Sequence, residues 1–171
     1  MNAAQQLERQ GLTVREDVRP NDVEAVRQIV TSTGFFHDHE VDVAAELVHE
    51  RLQRGAASGY HFVFVEDAGR TIAYACYGLI ACTVGSYDLY WIAVHNDFRR
   101  RGLGQILLRV TEERIARAGG RRVYIETSGR EQYAPTQQFY ERCGYTREAA
   151  LAEFYAPGDD KLIYTRALVP G

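Results

Sequence analysis

Apolar residues recur at helical spacing in the first third of the chain, alternate with polar ones through its middle, and return to helical spacing after residue 102. Val23, Val26, Ile29 and Val30 form one helical stripe, with Asn21 placed to cap it and Glu24 placed to close a capping box. Val43, Leu47, Val48 and Leu52 form a second, over residues 41–54, with Gly55 just past its end. Residues 60–94 are β-branched and aromatic, broken at Glu66-Asp67-Ala68-Gly69 and at Gly85-Ser86, which predicts three consecutive antiparallel strands. Leu103, Ile106, Leu107 and Val110 then line a helix that stops near Gly119-Gly120, and residues 123–127 read as a strand. A strand-helix-strand unit implies a parallel pair. Residues 13–17 predict a first strand, residues 134–143 a last helix stopped by Gly144, and residues 145–155 with 162–168 a hairpin around Pro157-Gly158-Asp159-Asp160. The order β-α-α-β-β-β-α-β-α-β-β describes an α/β (α+β) fold with a mixed, mostly antiparallel central sheet flanked by helices.

Composition adds boundaries rather than function. The 171 residues carry no repeat, low-complexity tract or inter-domain linker, so one domain over residues 1–171 is expected, with residues 1–10 a flexible or helical extension. A net charge of -3 gives no reason to expect a nucleic-acid or membrane partner. Cys76, Cys82 and Cys143 are odd in number and lack C-x-x-C spacing, so no disulfide framework and no zinc site is indicated, and a reducing cytoplasm is expected. The longest apolar stretch, residues 72–84, is too short to span a bilayer, and no targeting segment is visible at the N-terminus. His37 and His39 lack a third and fourth ligand, so no metal is expected.

The sharpest chemistry lies where the strand ending in Ile92, Ala93 and Val94 turns into the next helix through Arg99, Arg100, Arg101, Gly102, Leu103, Gly104 and Gln105. Free N–H groups at a helix N-terminus bind anions, and glycine lets an oxygen approach the backbone without a Cβ in the way. Arginines at that end oppose the helix dipole, so three in a row fit an anionic ligand. A pyrophosphate would suit. Solvated turn arginines beside two bend-easing glycines are the alternative, because a short glycine motif alone is weak evidence.

Placed between a strand and a helix, Arg99-x-x-Gly102-x-Gly104 resembles the acetyl-CoA-binding motif, [QR]-x-x-G-x-[GA], of the GNAT superfamily of N-acetyltransferases. Phe139-Tyr140-Glu141-Arg142-Cys143-Gly144-Tyr145 resembles the second motif of that family, in the right order, and the resemblance covers roughly residues 60–166. It implies a fold in which the fourth and fifth strands splay apart to admit the thioester of acetyl-CoA, the co-substrate. The backbone of Ile92, Ala93 and Val94 would pair with the pantetheine arm, and amides from Arg99 to Gly104 would hold the pyrophosphate, with Gln105 also among the cofactor-binding residues. Tyr140 would protonate the departing thiolate. Asp88 aligns with a catalytic glutamate that some histone-modifying members carry on this strand and is ranked first as general base; Glu126 on the next strand is the competitor. Where the family often has Asn and Ala before the tyrosine, this chain has Tyr133 and Thr136.

In this family the acceptor is usually recognised between the first two helices and at the late hairpin. Here those segments supply Phe35, Phe36 and His37, and Phe154 and Tyr155, among acidic neighbours that suit a cationic small-molecule or peptide amine. The expected activity is acetyl-CoA-dependent N-acetylation by direct attack. A non-catalytic acyl-CoA-binding or sensing module is the main alternative, needing the arginine-glycine turn but neither Tyr140 nor Asp88. Nucleic-acid binding through the arginines is disfavoured by the negative total. A monomer and a homodimer are both left open.

Overall fold

The computed structural model describes residues 2–168. Helices α1 (Ala3–Glu8), α2 (Asp22–Ser32) and α3 (Asp38–Arg54) surround strand β1 (Leu12–Arg15) in the sequence. Strands β2 (His61–Asp67), β3 (Arg70–Leu79) and β4 (Ser86–Val94) follow, then α4 (Leu103–Arg117), β5 (Arg122–Ser128), α5 (Ala134–Arg142), β6 (Thr146–Ala156) and β7 (Asp159–Ala167). The strands form one sheet in the order β1-β2-β3-β4-β5-β7-β6. It is mixed and mostly antiparallel, with β4 and β5 parallel.

The chain groups into two compact units. One holds the residues up to Gly78 together with Trp91–Arg114, the other Leu79–Tyr90 together with the residues from Ile115 onward. Strand β4 and helix α4 therefore each contribute to both.

In the first unit, Val26, Ile29 and Val30 of α2 and Val41, Ala44 and Val48 of α3 bury their stripes on Phe62, Phe64, Tyr74, Cys76 and Ala93. β3 is buried from Thr71 to Gly78 without alternation, the pattern of a strand covered on both faces. The Asn21/Glu24 capping box does not form. Asn21 is already helical, and the turn is held by the next residue: Asp22, fully buried, accepts the Arg19 N–H at 2.7 Å and two N–H bonds from Arg15 at 2.8 and 2.9 Å. Glu24 accepts instead from Gln28 one turn on. The N-terminal extension, expected to be flexible or helical, contains α1, capped by Asn2 and tied to α4 through Ala3 N–H to Glu113 (2.9 Å) and Arg109 to Gln6 (3.0 Å). α3 begins at Asp38, three residues earlier than its apolar stripe suggests, because Glu40 reaches back to the His37 N–H at 2.8 Å.

In the second unit the buried face of the sheet carries Val123, Ile125, Leu162 and Tyr164, against which α5 sets Tyr140. α4 ends in a Schellman-like turn, Gly120 N–H donating to Ile115 O at 2.8 Å. A Cβ on Gly120 would stand 2.2 Å from Ile115 Cγ2, so only glycine closes this turn. β6 and β7 pair as far as Ala156 and Asp159. The hairpin turn is thus only Pro157-Gly158, and Asp159 and Asp160, expected in the turn, belong to β7. Glu153, with φ 51°, interrupts β6; its N–H donates to Asp160 Oδ1, and its carboxylate accepts the Gly158 N–H.

Candidate active site

In the first unit, β4 ends at Val94, and His95 N–H donates to Ile72 O at 2.8 Å, anchoring the start of the turn. Asn96–Phe98 makes one 3-10 turn, Arg99 is extended (φ -69°, ψ 165°), and both Arg100 (φ 63°) and Gly102 (φ 74°) are left-handed. A non-glycine residue in that region is strained, and such strain collects where backbone geometry serves a ligand. α4 then starts at Leu103, and its first bond of helical spacing runs from Ile106 N–H to Gly102 O. The N–H groups of Leu103, Gly104 and Gln105 precede that bond and have no helical partner.

No acidic residue occupies the first turn of α4 to absorb their partial charge. Arg99 and Arg101 lie over the rings of Phe35 (5.5 Å) and Phe98 (5.4 Å), and among the described residues none of Arg99, Arg100 and Arg101 forms an ion pair. Three unneutralised guanidinium groups and a row of free amides fit a pyrophosphate. Of the other predicted residues in this unit, Phe36 packs on Trp91 at 5.0 Å within the apolar cluster, and His37 stacks on His39 at the head of α3.

In the second unit the parallel register pairs Asp88 with Tyr124, and the antiparallel register pairs Glu126 with Ile163 and Ser128 with Lys161. Paired residues share a face, so Asp88, Glu126 and Lys161 lie on one side of the sheet, each diagonal to the next. Lys161 Nζ is 2.7 Å from Glu126 Oε2 and 4.1 Å from the Phe154 ring centroid. Phe154 and Tyr155 are half exposed and meet edge to face at 5.1 Å. Burial, and then the charge of Glu126, hold the Asp88 carboxyl above the usual carboxylate range, while Lys161 opposes that rise. Burial, and then Glu126, Asp159 and Tyr133, push the Tyr155 phenol up. Four predicted residues, Asp88, Glu126, Phe154 and Tyr155, are thus brought into one cluster, with Lys161 at its centre. Lys161 escapes a periodicity reading; the one signal for it is that it is the only lysine among 20 Lys and Arg residues.

Tyr140 stands on the opposite face of the sheet, 6.0 Å from both Tyr145 and Tyr164 by ring centroids. Burial pushes its phenol well above the ordinary value, with Cys143 adding to the shift. Gly144 (φ 86°) and the Tyr145 N–H bond to Tyr140 O close the end of α5 behind it. Among the described residues no group of His, Cys, Asp or Glu could hold a metal ion, and no helix is long and apolar enough to cross a membrane.

Residues 58–147, just over half of the chain, match the family model for the acetyltransferase (GNAT) domain. The chain belongs to the GNAT family of acetyltransferases. It is also similar, over 92% of its length and 99% of the other chain, to a solved protein assigned to the GNAT family from Desulfovibrio desulfuricans, with 49% identity and a TM-score of 0.91. The ribosomal-protein-S18-alanine N-acetyltransferase of Escherichia coli shares the fold at 19% identity (TM-score 0.73, 94% of this chain and 96% of that one). An aminoglycoside 6'-N-acetyltransferase solved with coenzyme A does so at 17% identity (TM-score 0.72, 92% and 98%). No curated protein matches. Acetyl-CoA-dependent N-acetylation is the family reaction, and this GNAT chain is an acetyltransferase.

Proposed function

We propose that this GNAT chain transfers the acetyl group of acetyl-CoA to the amine of a small molecule or peptide by direct attack in a ternary complex. The observation that carries the reading is the turn at residues 99–104, where unpaired arginines, left-handed backbone and free helix amides converge with no acid in the first turn. The amides of Leu103, Gly104 and Gln105 and the guanidinium groups of Arg99, Arg100 and Arg101 hold the pyrophosphate of acetyl-CoA. The backbone of Ile92, Ala93 and Val94 pairs with its pantetheine arm as an added strand would. Acetyl-CoA supplies the activated acyl carbon; the remaining work is the protein's.

An alkylammonium does not attack until it loses a proton, and Asp88 takes that proton on the open face of the sheet, directly or through water. A carboxyl raised by burial is better matched to this task than an ordinary one. Phe154 and Tyr155 flank the acceptor with aromatic surface, and Phe35 and His37 are candidate contacts at the other segment. On the opposite face Tyr140, a phenol protonated at neutral pH and pushed further up by burial, donates to the departing sulfur. On this reading residues 1–171 act as one acyltransferase domain.

Two variants test donor binding and chemistry separately. Gly104→Val should weaken acetyl-CoA binding roughly tenfold or more in a calorimetric titration, the loss of about one charge-assisted hydrogen bond. Tyr140→Phe should bind normally yet lower kcat by about 10² to 10⁴ where chemistry is rate-limiting. Unchanged binding by folded Gly104→Val removes the pyrophosphate assignment, and wild-type turnover by Tyr140→Phe removes the acid. A non-catalytic acyl-CoA-binding module predicts a third pattern, binding with no thiol release across a panel of amines.

A further inference from the structure

Two carboxylates on one sheet face, each able to take the same proton, leave its position undefined unless their surroundings differ. Asp88 and Glu126 are such a pair, diagonal across β4 and β5. What separates them is Lys161, which stands diagonal to Glu126 across β5 and β7. Its ammonium contacts Glu126 Oε2 at 2.7 Å and is capped by the Phe154 ring at 4.1 Å, leaving the lysine side chain only 12% exposed. Among the described residues Asp88 has no ion-pair partner.

The remaining groups near this row do not supply one. Asp159 is paired with Arg130 at 3.1 Å, Glu148 with Arg122 at 3.1 Å, and Tyr133 and Tyr155 are phenols. Arginine fills every other Lys/Arg position, yet here the chain uses the compact point charge of a lysine, which holds one carboxylate rather than spanning two.

We infer that Lys161 is a positioning residue: by holding Glu126 in an ion pair under the Phe154 ring, it leaves Asp88 as the carboxylate that receives the proton of the acceptor ammonium. In that step one N–H bond of the ammonium breaks, its electron pair stays on nitrogen, and an O–H bond forms on Asp88. The inference rests on the acetyl-transfer reading above. It adds that Glu126 is a spectator whose charge Lys161 occupies, and that Lys161 moderates the upward push which burial and Glu126 exert on Asp88.

The test is a ¹³C-carboxyl NMR titration of Asp88 in the wild type, Lys161→Met and Lys161→Arg, with kcat/KM measured against pH for the same three proteins. Methionine keeps an unbranched apolar stem and removes the ammonium together with its bond to Glu126. The Asp88 midpoint should rise by about 1 unit in Lys161→Met, the scale of losing a nearby opposite charge. The acidic limb of kcat/KM should move with it, whereas Lys161→Arg keeps the charge and, with a fork that can reach both carboxylates, should hold the Asp88 midpoint at or below its wild-type value. A lysine with a merely structural role would change stability or rate and leave both midpoints in place. An unmoved Asp88 midpoint in folded Lys161→Met, judged by its amide spectrum, overturns the inference. The NMR midpoint needs neither acceptor nor acetyl-CoA, so it can be read even if acetyl transfer fails. A midpoint that moves while the rate limb stays removes Asp88 as the base, and the inference with it.

Discussion

Each compact unit contains two carboxylates gathered around one central cation, and the two groups do opposite things with them. In the first unit Arg15 binds Asp22 with two N–H bonds, Glu66 with a third at 2.8 Å, and also the Asp17 carbonyl, while its guanidinium covers the Phe64 ring at 4.5 Å. Arg19 adds a second cation 3.6 Å from Glu66. The planar fork reaches both acids at once, so neither is left over. In the second unit Lys161 holds Glu126, and Asp88 remains half-buried with no ion-pair partner among the described residues. A closed group fixes where α2 starts; an open one keeps a carboxylate for chemistry. The difference follows from the shape of the cation as much as from the acids.

Breaking the closed group should have the largest effect. Arg15→Met leaves the Asp22 carboxylate buried without its counter-ion, holding only the Arg19 N–H, and should destabilise the fold by about 3–5 kcal/mol in urea denaturation. The acidic limb of kcat/KM in whatever protein remains folded should stay where it was. A loss under about 1 kcal/mol would show the Arg15 group to behave as an exposed ion pair does, not as a closed buried one.

Breaking the open group should cost activity instead. Asp88→Asn should lower kcat/KM by about 10²-fold at neutral pH, near the lower end for a positioned base because water can partly replace it. The acidic limb should disappear with it, while Glu126→Gln retains a limb. If the limb survives in Asp88→Asn and vanishes in Glu126→Gln, the two carboxylates exchange roles, and Lys161 sits on the base rather than beside it.

Both groups were only partly legible in the sequence, for reasons of register. Helical stripes such as Val26-Ile29-Val30 and strands such as residues 60–94 announce themselves because burial imposes a period on consecutive positions. Arg15, Asp22 and Glu66 come from three elements, so nothing local reveals that Asp22 rather than Asn21 holds the start of α2. α1 has six residues and too few turns to show a stripe; its docking on α4 is a tertiary fact. Asp88 and Glu126 entered by resemblance and by position on adjacent strands. Lys161 becomes visible only once the antiparallel register places it diagonal to Glu126. The arginine-glycine turn was the most legible feature, since its chemistry is contiguous. Its left-handed φ at Arg100, by contrast, has no sequence signature in a run of three identical residues.

The smallest expected effect separates the two groups most cleanly, because it has the opposite sign from the Arg15 result. Folding raises the Asp88 carboxyl above its usual value through burial and the charge of Glu126, so the folded state holds a proton that the unfolded chain releases. Above the folded midpoint both states are ionised, and the native state bears the full cost of the exposed-to-buried charge. As pH falls through that midpoint the cost is relieved, and below the unfolded value, about 4, both states are protonated and it is gone. Asp88→Asn removes the charge and should therefore stabilise the protein at neutral pH, by a few tenths of a kcal/mol given how well water screens a half-open site. The gain should shrink toward zero near pH 4. Urea midpoints of wild type and Asp88→Asn at pH 7.5 and pH 4 measure it directly. A destabilised Asp88→Asn at pH 7.5 would mean that the carboxylate is held by favourable contacts, as Asp22 is, and that the open group is a second closed one.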